Sequence, residues 1–181
     1  FELFLPAPSK KRASCRARGG ALRLPGLVSY RMSGGDSFWQ VSGAGSTLVL
    51  PGLTNVVAGG PNSWQYFHVE ALEGGQVVLN GLANLGGRVA VKADGTDSVV
   101  DLSGLVSCPA LGTMSAQNGG EIRVPQLTVA SVGLPRDAAS VLDLAALKTL
   151  PGGSLTVAGV AVELPGLVEA DGASFYVTRP K

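Results

Sequence analysis

Side chains that could act as a catalytic base or a metal ligand are scarce in this chain of 181 residues. His68 is the single histidine, so a histidine–histidine relay and a histidine-rich metal site are excluded. A Ser–His–Asp arrangement is arithmetically possible, but the sequence holds no nucleophile-elbow phrase. His68 takes an outward position in YFHVE, residues 66–70, and we interpret it as a surface histidine.

The two cysteines, Cys15 and Cys108, fall at inward positions of the repeats described below, four coils apart. Stacking at strand spacing separates them by about 19 Å, whereas the Cα atoms of a disulfide lie within about 7 Å. We therefore expect two free, core-like thiols. Two cysteines are too few to indicate the redox compartment.

Three aspartates stand close together in KADGTDSVVD, residues 92–101, whose DGTD phrase is like a calcium loop. Calcium takes about six to eight oxygen ligands, and the glycine-rich phrase of calcium-binding repeats is absent. We interpret Asp94 and Asp97 as turn residues and Asp101 as an outward strand residue, with a calcium site as the alternative.

The remaining acids, such as Asp36, Asp137 and Asp171, fall in turns of different coils. Polysaccharide lyases and hydrolases built on β-helices need carboxylates clustered with Arg or Lys on one face, and no such cluster is predicted. The sequence therefore predicts no enzyme activity, no catalytic residue, no cofactor and no metal ion.

One outward surface combines aromatic, basic and amide side chains. We align Phe38 with Tyr66 and Arg88 in one column, and Gln40 with His68 in the next. The rings could stack on sugars, while the polar groups bond hydroxyls or carboxylates. The predicted ligand-binding residues are therefore Phe38, Gln40, Tyr66, His68 and Arg88.

An alternative is that the long loops at 31–37 and 57–65 cover Phe38 and Tyr66. Trp39 and Phe67 alternate inward and are assigned to the core, whereas Trp64 is assigned to the loop.

Composition limits the function classes. Hydrophobic residues make up 45% of the chain and charged residues only 15%, while glycine reaches 26 residues. These values favour many short strands joined by tight turns. The net charge of +1 argues against nucleic-acid binding, and no apolar run approaches the length of a membrane helix. The chain begins at Phe1 and FELFLP is a poor signal peptide, so we expect a fragment or a processed form.

The elements that would position these side chains repeat along the chain. A phrase of the form LxLPGL returns with its anchor residues 19 to 29 apart. Proline suits the end of a strand, and glycine follows where the backbone needs either unusual dihedrals or close approach. The anchors are Leu5, Leu24, Leu50, Leu79, Leu102, Val124, Leu144 and Leu164.

Between the anchors lies a second phrase with apolar residues at alternate positions, which indicates a second strand. Each unit is then a strand, a corner, a strand and a glycine-rich turn. We predict an all-β fold, a right-handed parallel β-helix (β-solenoid) of about eight coils of 19–29 residues. Residues 1–181 form a single domain, with 1–20 as a first, basic coil and 21–181 as seven further coils cut from a longer array.

Two segments depart from the simple pattern. The basic stretch KKRASCRAR, 10–18, suggests a nucleic-acid tail, but it overlays a later repeat, with Cys15 and Ala17 inward and Arg16 and Arg18 outward.

In VGLPRDAAS, 132–140, the alignment places Pro135 and Asp137 at inward positions. Since a buried carboxylate is costly, we expect an outward bulge there that leaves Arg136 and Asp137 in solvent and lets Leu134 or Val132 fill the core.

LPGLTNVVAGG, the LPGL and GGxLxV phrases and the unit length resemble the β-strand repeats of large bacterial surface, adhesin-like proteins. The resemblance covers about residues 3–178 and implies an extracellular or cell-surface location and a non-enzymatic structural or adhesive role. Alternatives are a carbohydrate-active β-helix enzyme and a bacterial surface leucine-rich-repeat module.

The predicted partners are a polysaccharide or another surface protein. No nucleic acid and no membrane span are predicted. Uncapped coils would also allow end-to-end or edge association.

Overall fold

The computed structural model describes residues 14–32, 35–59 and 64–179, and every regular element in these ranges is a β-strand. The all-β prediction is confirmed. Nothing in the described ranges forms a helix capable of crossing a membrane. The strands are β1 (Ser14–Arg18), β2 (Ala21–Arg23), β3 (Ser29–Arg31), β4 (Ser37–Ser42), β5 (Thr47–Val49), β6 (Asn55–Val57), β7 (Phe67–Leu72), β8 (Gln76–Val78), β9 (Arg88–Asp94), β10 (Val99–Asp101), β11 (Ser107–Cys108), β12 (Leu111–Gln117), β13 (Glu121–Arg123), β14 (Val129–Ala130), β15 (Gly133–Asp137), β16 (Val141–Leu142), β17 (Ser154–Ala158) and β18 (Ser174–Thr178).

Equivalent strands of successive coils pair in parallel. Sheet 1 has eight strands in the order β1, β4, β7, β9, β12, β15, β17, β18. Sheet 2 has six, in the order β2, β5, β8, β10, β13, β16. The prediction of a parallel β-solenoid is confirmed, with about seven turns against the eight coils predicted.

Each coil has a third, short side that the sequence did not predict. Here β3 pairs with β6 and β11 with β14. Single parallel bridges, such as Thr149–Glu169, continue this side to the last coil. The strands of sheet 2 are equally short, but their phrase recurs along the chain, whereas the strands of the third side read SYR, NVV, SC and VA and share no recurring phrase.

The inward columns form one continuous apolar core. Leucine fills the column that follows the proline corner, and its five central members are fully buried: Leu53, Leu82, Leu105, Leu127 and Leu147. Burying one leucine contributes about 1.5–3 kcal/mol, and only the stacking of coils supplies that burial. In the first and last of the described coils Leu27 and Leu167 are half-buried, and the anchor Leu24 is exposed.

Aromatic side chains fill the core of the early coils, where the repeats are longest. The rings of Tyr30 and Trp39 lie 4.8 Å apart, and Trp39 meets Phe67 edge-on at 4.9 Å. The Tyr30 hydroxyl donates to Ser37 Oγ at 2.9 Å, which satisfies the phenol inside the core. Trp39 and Phe67 are buried, as predicted.

Serine side chains join coils in pairs at the turn between sheet 1 and sheet 2. Ser98 Oγ accepts from Gly74 N of the preceding coil at 2.9 Å and donates to Asp94 O at 2.7 Å. Since Ser98 is fully buried, it satisfies an amide that would otherwise be unpaired and costly. The equivalent pairs two coils away on either side are Gly19–Ser46 and Gly119–Ser140.

The glycine after the proline corner is required by close approach of the coils. A Cβ added at Gly104 would lie 2.2 Å from Asn80 O of the preceding coil. Gly52 and Gly81 meet the equivalent carbonyl at 2.4 Å. None of these three glycines has a positive φ, so unusual dihedrals are not the reason for the residue.

We expect Gly104→Ala to lower the free energy of unfolding by about 1–3 kcal/mol, because overpacking forces the coils apart. Gly86→Ala is the control, since its φ is not positive, no described atom lies within 4 Å of its added Cβ, and its segment has bridges to described residues of both neighbouring coils. Its effect should stay within about 0.5 kcal/mol. Urea unfolding of both variants measures the difference, and equal effects would contradict the explanation.

The register of sheet 1 differs from the sequence alignment by two residues at two coils. Phe38 pairs with His68, whereas the alignment predicts Tyr66 as its partner. A second displacement of the same size separates β9 from β12. Because side chains alternate with a period of two, such a slip keeps every residue on its predicted face and changes only its neighbours.

The basic stretch continues the solenoid. Residues 14–18 form β1 and pair with β4, with Ala17 buried and Arg16 and Arg18 exposed. The preceding part of the predicted first coil, residues 1–13, lies outside the described residues.

The outward column of sheet 2 places Arg123 between Asp101 and Asp143, in the predicted register. The guanidinium nevertheless turns to Glu121 in its own strand, with Nε 2.8 Å from Oε1. This hydrogen bond raises the pKa of Arg123. Asp101 accepts from Ser103 N at 2.9 Å instead.

The predicted bulge at residues 132–140 is wrong, whereas Val132 and Leu134 fill the core and Asp137 stays outside it, as predicted. A regular strand, β15, runs through Pro135, with Leu134 at the inward position opposite Leu155. The ladder to β12 is interrupted opposite Pro135, which has no N–H to donate. Asp137 points outward and accepts from Ser140 Oγ at 2.6 Å.

A one-residue shift of the alignment explains this coil. It moves the inward position from Asp137 to Arg136, which stacks between Ala116 and Val157. An arginine can bury the methylene groups of its side chain while its guanidinium reaches toward water. The shorter side chain of an aspartate cannot do both. The cost is local, because the buried Nε of Arg136 has no hydrogen-bond partner.

Arg136→Val should therefore raise the free energy of unfolding, by about 1 kcal/mol or more, because it removes the unpaired buried nitrogen and matches the apolar column. Arg123→Val, at an exposed site of sheet 2, is the control and should not raise the free energy of unfolding. Thermal and urea unfolding compare the two variants. A loss of stability in Arg136→Val would show that the guanidinium has a favourable contact.

Candidate functional site

The outward side of sheet 1 in the early coils gathers the predicted ligand-binding residues. In β4, β7 and β9 buried and half-buried residues alternate, because every second side chain points outward. The resulting cluster, here called the aromatic face, consists of Phe38, Gln40, Trp64, Tyr66, His68, Glu70 and Arg88.

Phe38 and His68 form the centre of the aromatic face. Their rings are stacked, with centroids 4.2 Å apart and planes inclined by only 8°. The stack follows from the register, because these residues are direct neighbours on β4 and β7. Tyr66 extends the row, with its ring centroid 6.0 Å from that of His68.

Glu70 connects the polar members of this surface. Its Oε2 accepts from Gln40 Nε2 at 2.7 Å, and its Oε1 lies 3.7 Å from His68 Nδ1. The carboxylate thus orients both an amide and an imidazole. Their remaining polar atoms are half-exposed, and they can donate to or accept from a polar ligand.

Arg88 lies between two aromatic rings. Its guanidinium carbon is 5.2 Å from the centroid of the Trp64 ring and 5.7 Å from that of Tyr66. Nη1 donates to the Tyr66 hydroxyl at 3.3 Å, and the buried Nε has no partner. None of the ion pairs among the described residues includes Arg88, so its charge is held by rings and not by an acid.

The described parts of the loops leave the aromatic face partly open. Trp64 is 85% exposed, whereas Phe38 and Tyr66 are half-buried. Asp36 in the first loop accepts from Tyr66 N at 2.8 Å and so fixes the start of β7. The expected covering of the rings is therefore partial, and the indole is the most accessible surface.

Sequence reasoning missed Trp64 and Glu70. Both belong to the alternating series WQYFHVE, in which Trp64, Tyr66, His68 and Glu70 occupy every second position. Extending the alternation three residues before β7 would have placed Trp64 outward, and the correct register would have placed Glu70 beside Gln40.

The aspartates of residues 92–101 do not converge. Asp94 Oδ2 lies 2.6 Å from Lys92 Nζ, and Oδ1 accepts from Asn118 at 2.7 Å. These bonds to Lys92 and Asn118 lower the pKa of Asp94. Asp97 lies in the turn with a φ of 63°, and Asp101 lies on sheet 2. Among the described residues no three His, Cys, Asp or Glu side chains form a group able to hold a metal ion.

Both cysteines are free thiols. Cys108 is fully buried, and burial raises its pKa to about 11. Cys15 is only half-buried because its strand, β1, lies at the end of sheet 1. Burial also raises the pKa of Cys15.

Comparison with known proteins finds no matching family model, no matching curated protein and no matching solved structure. The fold and the aromatic face are therefore the basis for a functional proposal.

We expect the two thiols to differ in reactivity. At pH 8 a thiol reagent should modify Cys15 first, whereas Cys108 should react only as the chain unfolds, because its thiolate is rare and enclosed. Cys108→Ser and Cys15→Ser separate the two signals in a stopped-flow labelling experiment. Equal rates in the folded protein would contradict the burial of Cys108.

Proposed function

We propose that the chain is a non-enzymatic, structural or adhesive segment of a secreted or cell-surface protein, and that its aromatic face binds polysaccharide. The exposed Trp64 ring with Arg88 beside it carries this proposal. An exposed indole offers a flat apolar surface to the C–H face of a sugar ring. Trp64 lies three residues before β7, and its ring contacts the guanidinium of Arg88 on β9.

Arg88 favours sugars that carry a carboxylate. A guanidinium binds a carboxylate through two parallel hydrogen bonds, and none of the acids in the described ranges forms an ion pair with Arg88. His68 and Gln40, oriented by Glu70, supply groups for hydroxyls along the same row. The proposed ligand is therefore an acidic polysaccharide that runs across the coils.

The acids on this side of the solenoid favour binding over catalysis. Glu70 is engaged by Gln40, and Asp94 by Lys92. Glu73 accepts from Ser42 Oγ at 2.8 Å. A lyase or hydrolase needs a carboxylate free to exchange protons with its substrate. A leucine-rich-repeat module needs helical or 3₁₀ segments, which the described residues lack.

Binding to an array of acidic and neutral polysaccharides tests the proposal. Trp64→Ala should weaken all binding about tenfold or more, whereas Arg88→Gln should weaken only the binding of acidic sugars. The double variant Phe38→Ala with Tyr66→Ala should also lose binding, because it removes the row of rings beside the indole.

Arg123→Gln on sheet 2 is the matched control for Arg88→Gln, since it removes the same charge from another surface. Trp64→Phe should retain most of the affinity. Polysaccharide binding that survives both Trp64→Ala and the double variant would refute the site, and turnover of a polysaccharide would favour the enzyme alternative.

A further inference from the structure

Two Asn–Gly pairs occur in the sequence, Asn80–Gly81 and Asn118–Gly119. Asparagine is a thermolabile residue, and a following glycine favours its deamidation because no side chain hinders the glycine amide. The two pairs lie at different corners of the solenoid. Their hydrogen bonds differ enough to predict which of the two reacts.

The Asn118–Gly119 pair is held by hydrogen bonds to both neighbouring coils. Asn118 Nδ2 donates to Asp94 Oδ1 at 2.7 Å, and the backbone N–H of Asn118 donates to Asp137 Oδ2 at 2.6 Å. The Gly119 N–H, which would have to attack the side-chain amide, donates to Ser140 Oγ at 3.1 Å. Deamidation at this corner therefore requires these hydrogen bonds to break first.

The Asn80–Gly81 pair forms the corner between sheet 2 and the third side, in the position that Ser103 takes in the next coil. The Asn80 side chain is exposed, and no hydrogen bond among the described residues includes that side chain or the N–H of Gly81. One backbone bond closes the turn, from Leu82 N to Leu79 O at 3.1 Å. Local opening of this bond frees the glycine amide to approach the side-chain carbonyl.

We propose that Asn80 is a modification site, at which the folded chain deamidates spontaneously and forms isoaspartate. The Gly81 nitrogen bonds to Cγ of Asn80, and Nδ2 leaves as ammonia with the amide proton of Gly81. Water then opens the resulting succinimide. When the bond between the Asn80 carbonyl carbon and the Gly81 nitrogen breaks, the product is isoaspartate; when the bond to Cγ breaks, it is aspartate. Water is the only co-reactant.

Isoaspartate changes the atoms that contact the next coil. The backbone then runs through Cβ and Cγ, and the former main-chain carbonyl of residue 80 becomes a free carboxylate. In the structure Asn80 O faces Gly104 so closely that a Cβ on Gly104 would lie 2.2 Å away. The carboxylate therefore brings a charge and a second oxygen into a contact that is too tight for a methyl group.

The preceding coil is affected as well. A Cβ added at Gly81 would lie 2.4 Å from Pro51 O, so the lengthened backbone has no room on that side either. Modification of Asn80 should thus weaken the packing of one coil against both of its neighbours. The corner lies outside sheet 1, so this proposal does not rest on polysaccharide binding by the aromatic face.

Peptide mapping of the full chain by mass spectrometry, during incubation in mildly alkaline buffer, tests the site. In the folded protein isoaspartate should form at position 80 at least about tenfold faster than at position 118, because the hydrogen bonds of Asn118 and Gly119 must open first. In concentrated urea, where neither corner is formed, the two positions should react at similar rates. Equal rates in the folded protein, or no isoaspartate at position 80, would overturn the proposal.

Urea unfolding tests the effect on the coils. The isoaspartate form, isolated by chromatography, should unfold at a lower urea concentration than the fresh wild type. Fresh Asn80→Asp is the control for charge, since it places the carboxylate on the exposed side chain without lengthening the backbone, and its midpoint should match the wild type. Asn80→Ser, which copies Ser103, should fold and should keep its midpoint during incubation. An isoaspartate form as stable as Asn80→Asp would contradict the predicted loss of packing.

Discussion

The close approach of one coil to the next is the constraint on which the structure depends. Parallel strands stack about 4.8 Å apart, so any atom that intrudes between two turns forces those two turns apart. Gly104 meets this requirement because it has no Cβ. A Cβ at this position would lie only 2.2 Å from Asn80 O of the preceding coil. Ser98 meets it in another way, because it supplies the hydrogen bond that the Gly74 amide cannot obtain from its own turn. Backbone sterics and backbone hydrogen bonding thus explain the recurring phrases better than side-chain chemistry does.

The aromatic face is a consequence of the same stacking. Side chains that are far apart in sequence become neighbours at strand spacing, which stacks Phe38 on His68 and brings Gln40 to Glu70. The same coils carry large rings on both sides of sheet 1, because Trp39 meets Phe67 edge-on inside the core while Phe38 stacks on His68 outside.

The later coils illustrate how the solenoid tolerates exceptions. Pro135 interrupts only one ladder, to β12, and keeps all its register with β17. Arg136 takes an inward position at the cost of one unpaired nitrogen. Such local costs are tolerated because each coil contacts only its neighbours, so a defect does not propagate. The same independence leaves the last strand with exposed core residues and no partner within the described chain.

The sequence by itself determined the architecture and the orientation of the side chains. Periodic leucines, alternating apolar residues and glycine pairs predicted a parallel solenoid, and each residue of β4, β7 and β9 lies on its predicted face. Only the tertiary structure decided which residue of the adjacent strand pairs with each residue. A slip of two residues preserves hydrophobic alternation, so the pattern could not distinguish His68 from Tyr66 as the partner of Phe38. A slip of one residue was equally hidden at Pro135, because the sequence showed the cost of a buried Asp137 but not that Arg136 could take its place. The third side was invisible for a related reason. Its strands pair from coil to coil, but their residues do not recur as a phrase along the chain, so no repeat marked them.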